Sequence, residues 1–85
     1  MMTNNAAEYK KSQDALVSLK TAIYDLLARH NQGLSNAQIG RSLGIYEGHE
    51  GHEGHISRTL LAMMEAEGVV SQDPQSKKWS IRGHS

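Results

Sequence analysis

The chain has 85 residues, with nine Lys+Arg balancing nine Asp+Glu, five histidines and no cysteine. A chain of this length forms one small domain that buries only roughly 60% of its unfolded surface, and without cysteine neither disulfides nor a thiolate zinc site can staple it. A zero net charge gives no long-range pull toward nucleic acid, so any attraction has to be local. No apolar run approaches the roughly 20 residues of a membrane span, and the polar start lacks the apolar centre of a signal peptide. A soluble, cytoplasmic protein is the expectation.

Residues 1–11 are polar and are expected to be a frayed N-terminal segment, with Tyr9 able to extend a helix backward. From there the predicted elements form a single domain over residues 12–85. Leu16, Leu19, Ile23 and Leu26 recur at spacings of three and four, with Leu27 widening the stripe, which predicts a first helix over about 12–31 with one face buried. A second stripe of Val17, Thr21, Tyr24 and Ala28 lies on another side. It is either further contact within the monomer or a homodimer seam. Asn31, Gln32 and Gly33 are the stop signal, with Gly33 suited to the left-handed position after a helix end.

Ser35 or Asn36 can cap a short second helix over about 35–44, in which Ile39 and Leu43 face inward beside Ala37 and Ile45 and which Gly44 ends. The run HISRTLLAMMEAEG predicts a third helix over about 55–67, with Ile56, Leu60, Met63 and Met64 as its apolar stripe and Gly68 as its stop. The period then changes. Residues 69–72 and 78–82 are short β-branched or aromatic stretches separated by Asp73-Pro74-Gln75-Ser76, a hairpin whose Trp79 and Ile81 share the face laid on the helices.

Between the second and third helices stands the repeat YEGHEGHEGH, in a loop over about 45–54. Its glycines Gly48, Gly51 and Gly54 each cost about 1 kcal/mol in a helix interior, so a continuous helix that would line up His49, His52 and His55 is disfavoured. An extended strand puts successive histidines on opposite faces, which leaves a looped path. Three roles are open to it: a solvated connector, a contact loop opposed by the carboxylates of Glu47, Glu50 and Glu53, or a Zn or Ni site on His49, His52 and His55. No cofactor is favoured. The zinc-protease order His-Glu-x-x-His is missing because position 53 is glutamate.

The segments "HISRTLLAMMEAEGVV" and "LSNAQIGRSLGI" resemble the recognition-helix-to-wing segment, and the helix before it, of bacterial winged helix-turn-helix regulators. The resemblance covers roughly Leu16 to Arg82. It implies a mainly α fold with a small β-hairpin, three helices and a wing, and a function in binding double-stranded DNA as a transcriptional or mobile-element regulator. The sequence departs from the common pattern in the length of the turn, usually three or four residues. A longer connection of this kind, rich in Gly and acidic residues, is similar to that of winged-helix domains attached to some restriction-type systems.

On that reading the third helix presents Ser57, Arg58 and Thr59 to the major groove, with His55 beside them, and Arg58 leads because it can pair bidentately with guanine. The plainer alternative for Arg58 is a surface ion pair with Glu50 or Glu53. Lys77, Lys78 and Arg82 of the wing, and Arg41 with Ser42 on the second helix, are candidate phosphate contacts. A winged-helix module that binds another protein is the second expectation, which the zero net charge favours. Catalysis is not expected, because the chain offers no cysteine nucleophile, no nucleotide-binding glycine loop and too little mass to enclose a pocket.

Overall fold

A computed structural model describes residues 5–46 and 54–83 of the chain. In chain order these form helix α1 (Ala6–Ala28), helix α2 (Asn36–Ser42), helix α3 (His55–Ala66) and strands β1 (Val70–Gln72) and β2 (Trp79–Ile81). The fold is mainly α with one two-stranded antiparallel hairpin, paired Val70 to Ile81, Ser71 to Ser80 and Gln72 to Trp79.

Helix α1 differs from expectation at both ends. It begins at Ala6, within the segment expected to fray, although residues 5–15 are all exposed and bury nothing there. Local chemistry accounts for this. Ala6, Ala7, Glu8, Lys10 and Lys11 are good helix formers, Glu8 faces the positive end of the helix, and Lys10 reaches Asp14 one turn on at 3.0 Å. A search for an apolar stripe cannot see such a turn. At the other end α1 stops at Ala28 rather than near residue 31, closed by the Arg29 and His30 amides donating to the carbonyls of Leu26 and Leu27.

Gly33 therefore does not cap α1. Its φ of +88° serves a different need, since a Cβ there would lie 2.8 Å from the Trp79 carbonyl oxygen. The bare backbone lets Leu34 pair with Trp79 in both directions, Leu34 N to Trp79 O at 3.0 Å and Trp79 N to Leu34 O at 2.7 Å. The hairpin is thereby tied to the connection between α1 and α2.

Helix α2 starts with a reciprocal cap: the Gln38 amide donates to the Ser35 hydroxyl at 3.1 Å, and the Ser35 amide donates to Gln38 Oε1 at 2.8 Å. The core is built from Ile23, Leu26 and Leu27 of α1, Ile39 of α2, Leu60, Leu61 and Met64 of α3, and Val70 and Trp79 of the hairpin. Burial of these side chains, at roughly 1.5–3 kcal/mol each, is what holds the layers together. Lys20 adds a tie from α1 to Glu67 beyond the end of α3 at 2.7 Å, partly screened by solvent and worth at most about 1 kcal/mol.

Candidate nucleic-acid interface

The third helix is rotated relative to the expected stripe. Its buried residues are Ser57, Leu60, Leu61 and Met64, at the i, i+3, i+4, i+7 spacing of one helix face, while Ile56 is 44% exposed. Ser57, expected at the surface as a groove-reading residue, is fully buried. Its neighbours explain the inversion. Gly40 on α2 is packed so closely that a Cβ would meet Tyr46 Cβ at 2.8 Å and the Ser57 hydroxyl at 3.1 Å, so only a small side chain fits at position 57. The hydroxyl donates to Asn36 Oδ1 at 2.8 Å, with the Gly54 carbonyl as its other acceptor at 3.2 Å.

These contacts form a clamp at the foot of the histidine-rich connection. Gly54 has φ +80°, and a Cβ on it would stand 2.6 Å from both Asn36 Nδ2 and Tyr46 Cε1. Its carbonyl accepts from Asn36 Nδ2 at 3.2 Å and from the Arg58 amide at 2.9 Å. Tyr46 is in turn covered by the Arg41 guanidinium, 4.7 Å above the ring centroid. Residues 46 and 54 are thus held side by side against α2. The two helices dock directly on each other although residues 43–54 separate them in sequence, against the three or four of a common turn.

Of the two residues expected to cap α2, Ser35 makes the cap and Asn36 belongs to this clamp. Sequence reasoning missed the clamp, and the signal it offered was the phase of Ser57 with Leu60, Leu61 and Met64. Arg58, Thr59 and His55 are exposed on the outer side of the first turns of α3. Arg41 is exposed as well, with its guanidinium engaged on Tyr46.

Lys77, Lys78 and Arg82 are exposed on the hairpin. Arg82 follows β2 at the base of the hairpin, while the turn that carries the two lysines is built by Asp73, whose Oδ2 accepts from the Ser76 amide at 2.6 Å and the Gln75 amide at 3.0 Å. These bonds, that from the Ser76 backbone first, hold the Asp73 carboxyl below the ordinary carboxylate range. Lys77 has a left-handed backbone, φ +67°, unusual for a side chain other than glycine, with its amide donating to the Asp73 carbonyl at 2.8 Å.

His49 and His52, and Glu47, Glu50 and Glu53, lie outside the described residues. Among the described residues no group of three His, Cys, Asp or Glu side chains is gathered for a metal ion, and no helix is long and apolar enough to cross a membrane. An open apolar groove of about 250 Å³ runs between α1 and α3, lined by Leu16, Leu19, Ile56, Leu60 and Met63 with His55 and Thr59 at its edge. A smaller cleft of about 40 Å³ at Leu27, His30 and Ser80 has room for little more than water. No protein-family model, curated protein or solved structure matches the chain.

Proposed function

We propose that the chain is a small bacterial DNA-binding protein of the winged helix-turn-helix class, a cytoplasmic transcriptional or mobile-element regulator that acts as a homodimer and performs no catalysis. On this reading α3 enters the major groove with Arg58 and Thr59 toward the base edges and His55 beside them, and Lys77, Lys78 and Arg82 meet backbone phosphates. The reading is carried by the direct docking of α2 on α3 through Gly40, Tyr46, Asn36 and Ser57, which leaves Arg58 and Thr59 on the solvent side of α3 despite the enlarged connection. The Leu34 to Trp79 pairing supports it by fixing the hairpin to the helices. So does Lys77, a residue kept at a backbone conformation that costs most side chains roughly 1–2 kcal/mol, since such strain gathers at functional positions.

The test is an amide-resolved NMR titration with a mixed-sequence duplex at low and moderate salt. The expected result is shifts at Arg58, Thr59, Lys77 and Lys78, with affinity falling by a log-log slope of about 0.9 per neutralised phosphate. Silent spectra, or binding indifferent to salt, would refute it. A second reading, a winged-helix module that binds another protein, draws on the zero net charge and on the apolar groove beside Ile56, which is 44% exposed.

A further inference from the structure

The outward side of α1 carries a pattern with its own symmetry. Ala6, Lys10, Gln13, Val17, Thr21, Tyr24 and Ala28 follow one another at intervals of 4, 3, 4, 4, 3 and 4, a series that is the same from either end. The helix itself spans Ala6–Ala28, so Val17 is its midpoint. At about 100° per residue the seven side chains stay within a wedge of about 80°, whose centre points about 130° away from the mean direction of the buried Ile23, Leu26 and Leu27, Leu27 lying nearest its edge. All seven are exposed, Val17 at 61% and Tyr24 at 43%.

A two-fold axis through Val17 sets each of these residues against chemistry that suits it. Val17 meets the partner's Val17 as an apolar centre. Gln13 meets the partner's Thr21, an amide against a hydroxyl, and Lys10 meets the partner's Tyr24, an ammonium against a ring face. Ala6 meets the partner's Ala28, small against small, which allows close approach at both ends. Parallel pairing would instead set Lys10 of each copy against its own counterpart.

We propose that α1 is an antiparallel self-association surface with its two-fold axis at Val17 and a second copy of this chain as its occupant. The proposal rests on the dimeric part of the function given above and is independent of DNA. The unsupported half of α1 gives it a physical basis: residues 6–15 have no tertiary cover, and a helix of that length is marginal alone. Antiparallel pairing lays that half along the partner's Thr21, Tyr24 and Ala28, on the half of α1 anchored by Ile23, Leu26 and Leu27. With seven seam residues and their flanks, each copy contributes about half of the 20–30 residues of a standard interface. The dimer is accordingly weak and depends on concentration.

The test uses the full chain without DNA. Sedimentation equilibrium from about 10 μM to 1 mM should show a reversible monomer–dimer equilibrium. Val17→Glu should weaken it at least tenfold while leaving the circular dichroism spectrum and melting temperature of dilute, monomeric samples unchanged, because Val17 makes little contact within the monomer. A spin label on Ala7→Cys, in a chain with no other cysteine, should report a distance of about 30 Å between copies, twenty residues at 1.5 Å each. The seam is overturned if the chain stays monomeric, if Ile56→Glu rather than Val17→Glu dissociates the dimer, or if the label distance falls below about 20 Å. Duplex binding by a strictly monomeric chain would overturn the seam and spare the DNA reading; a dimer indifferent to duplex would do the reverse.

Discussion

Replacing Gly54 by alanine tests the clamp between α2 and α3. Two costs are expected. The first is conformational: an L side chain at φ +80° pays roughly 1–2 kcal/mol. The second is steric, because the new methyl would stand 2.6 Å from Asn36 Nδ2 and Tyr46 Cε1, and neither can move freely. Asn36 holds Ser57 and the Gly54 carbonyl, and Tyr46 lies under Arg41 and over Gly40. Forcing them apart costs about 1–3 kcal/mol in overpacking and about 1 kcal/mol in weakened hydrogen bonding. Gly44 supplies the control, since its φ is +72° but nothing lies within 4 Å of an added Cβ. Gly44→Ala should therefore cost only the conformational part. The two variants should differ by about 2–4 kcal/mol in urea unfolding, or roughly 10 °C or more in melting temperature for a domain of this size. Equal losses would mean that Tyr46 and Asn36 do not close on Gly54, and the clamp would have to be abandoned.

Arg58→Ala should weaken duplex binding by about tenfold or more while changing stability by under about 1 kcal/mol, whereas buried Ser57→Ala should cost about 1–2 kcal/mol of stability and leave duplex affinity unchanged; paired melting and fluorescence-anisotropy measurements separate them, and the opposite assignment would sink the interface. Lys77→Gly relieves a left-handed backbone and should raise stability by about 0.5–1 kcal/mol, while lowering the salt slope of duplex binding by about one; a destabilised variant would refute the strain. Because the Asp73 carboxyl is held below its ordinary range in the folded chain, its contribution to the turn is complete above that range and is lost as pH falls through the lowered value. The Gln75 and Ser76 amide resonances should therefore titrate below the ordinary carboxylate range, and a midpoint at or above it would contradict the turn.

Helix α1, the start of α2 at Ser35-Asn36 and the hairpin were legible because each rests on a local signal: a stripe at spacings of three and four, two small polar residues suited to a helix cap, and a turn at Asp73-Pro74. Two features were not. The first turns of α1 carry no apolar stripe, so only helix propensity marks them. The orientation of α3 was misjudged because Ile56 is the more apolar of two neighbours, whereas burial went to Ser57, the only one small enough to fit against Gly40. Size at a close helix crossing outweighed hydrophobicity there. That substitution of roles also removed one of the expected groove-reading residues and left Arg58 and Thr59 beside it.

The close packing of Tyr46 on Gly54 has a meaning for how this sequence can change. When both feet of an excursion are fastened to the same helix, the number of residues strung between them becomes nearly a free variable, since doubling a loop adds only about 0.6 kcal/mol of closure entropy. Whole Glu-Gly-His units can then be gained or lost, or a foreign peptide spliced in, with the helices left where they are. The domain in effect carries a port whose length evolution or an engineer can set without renegotiating the core.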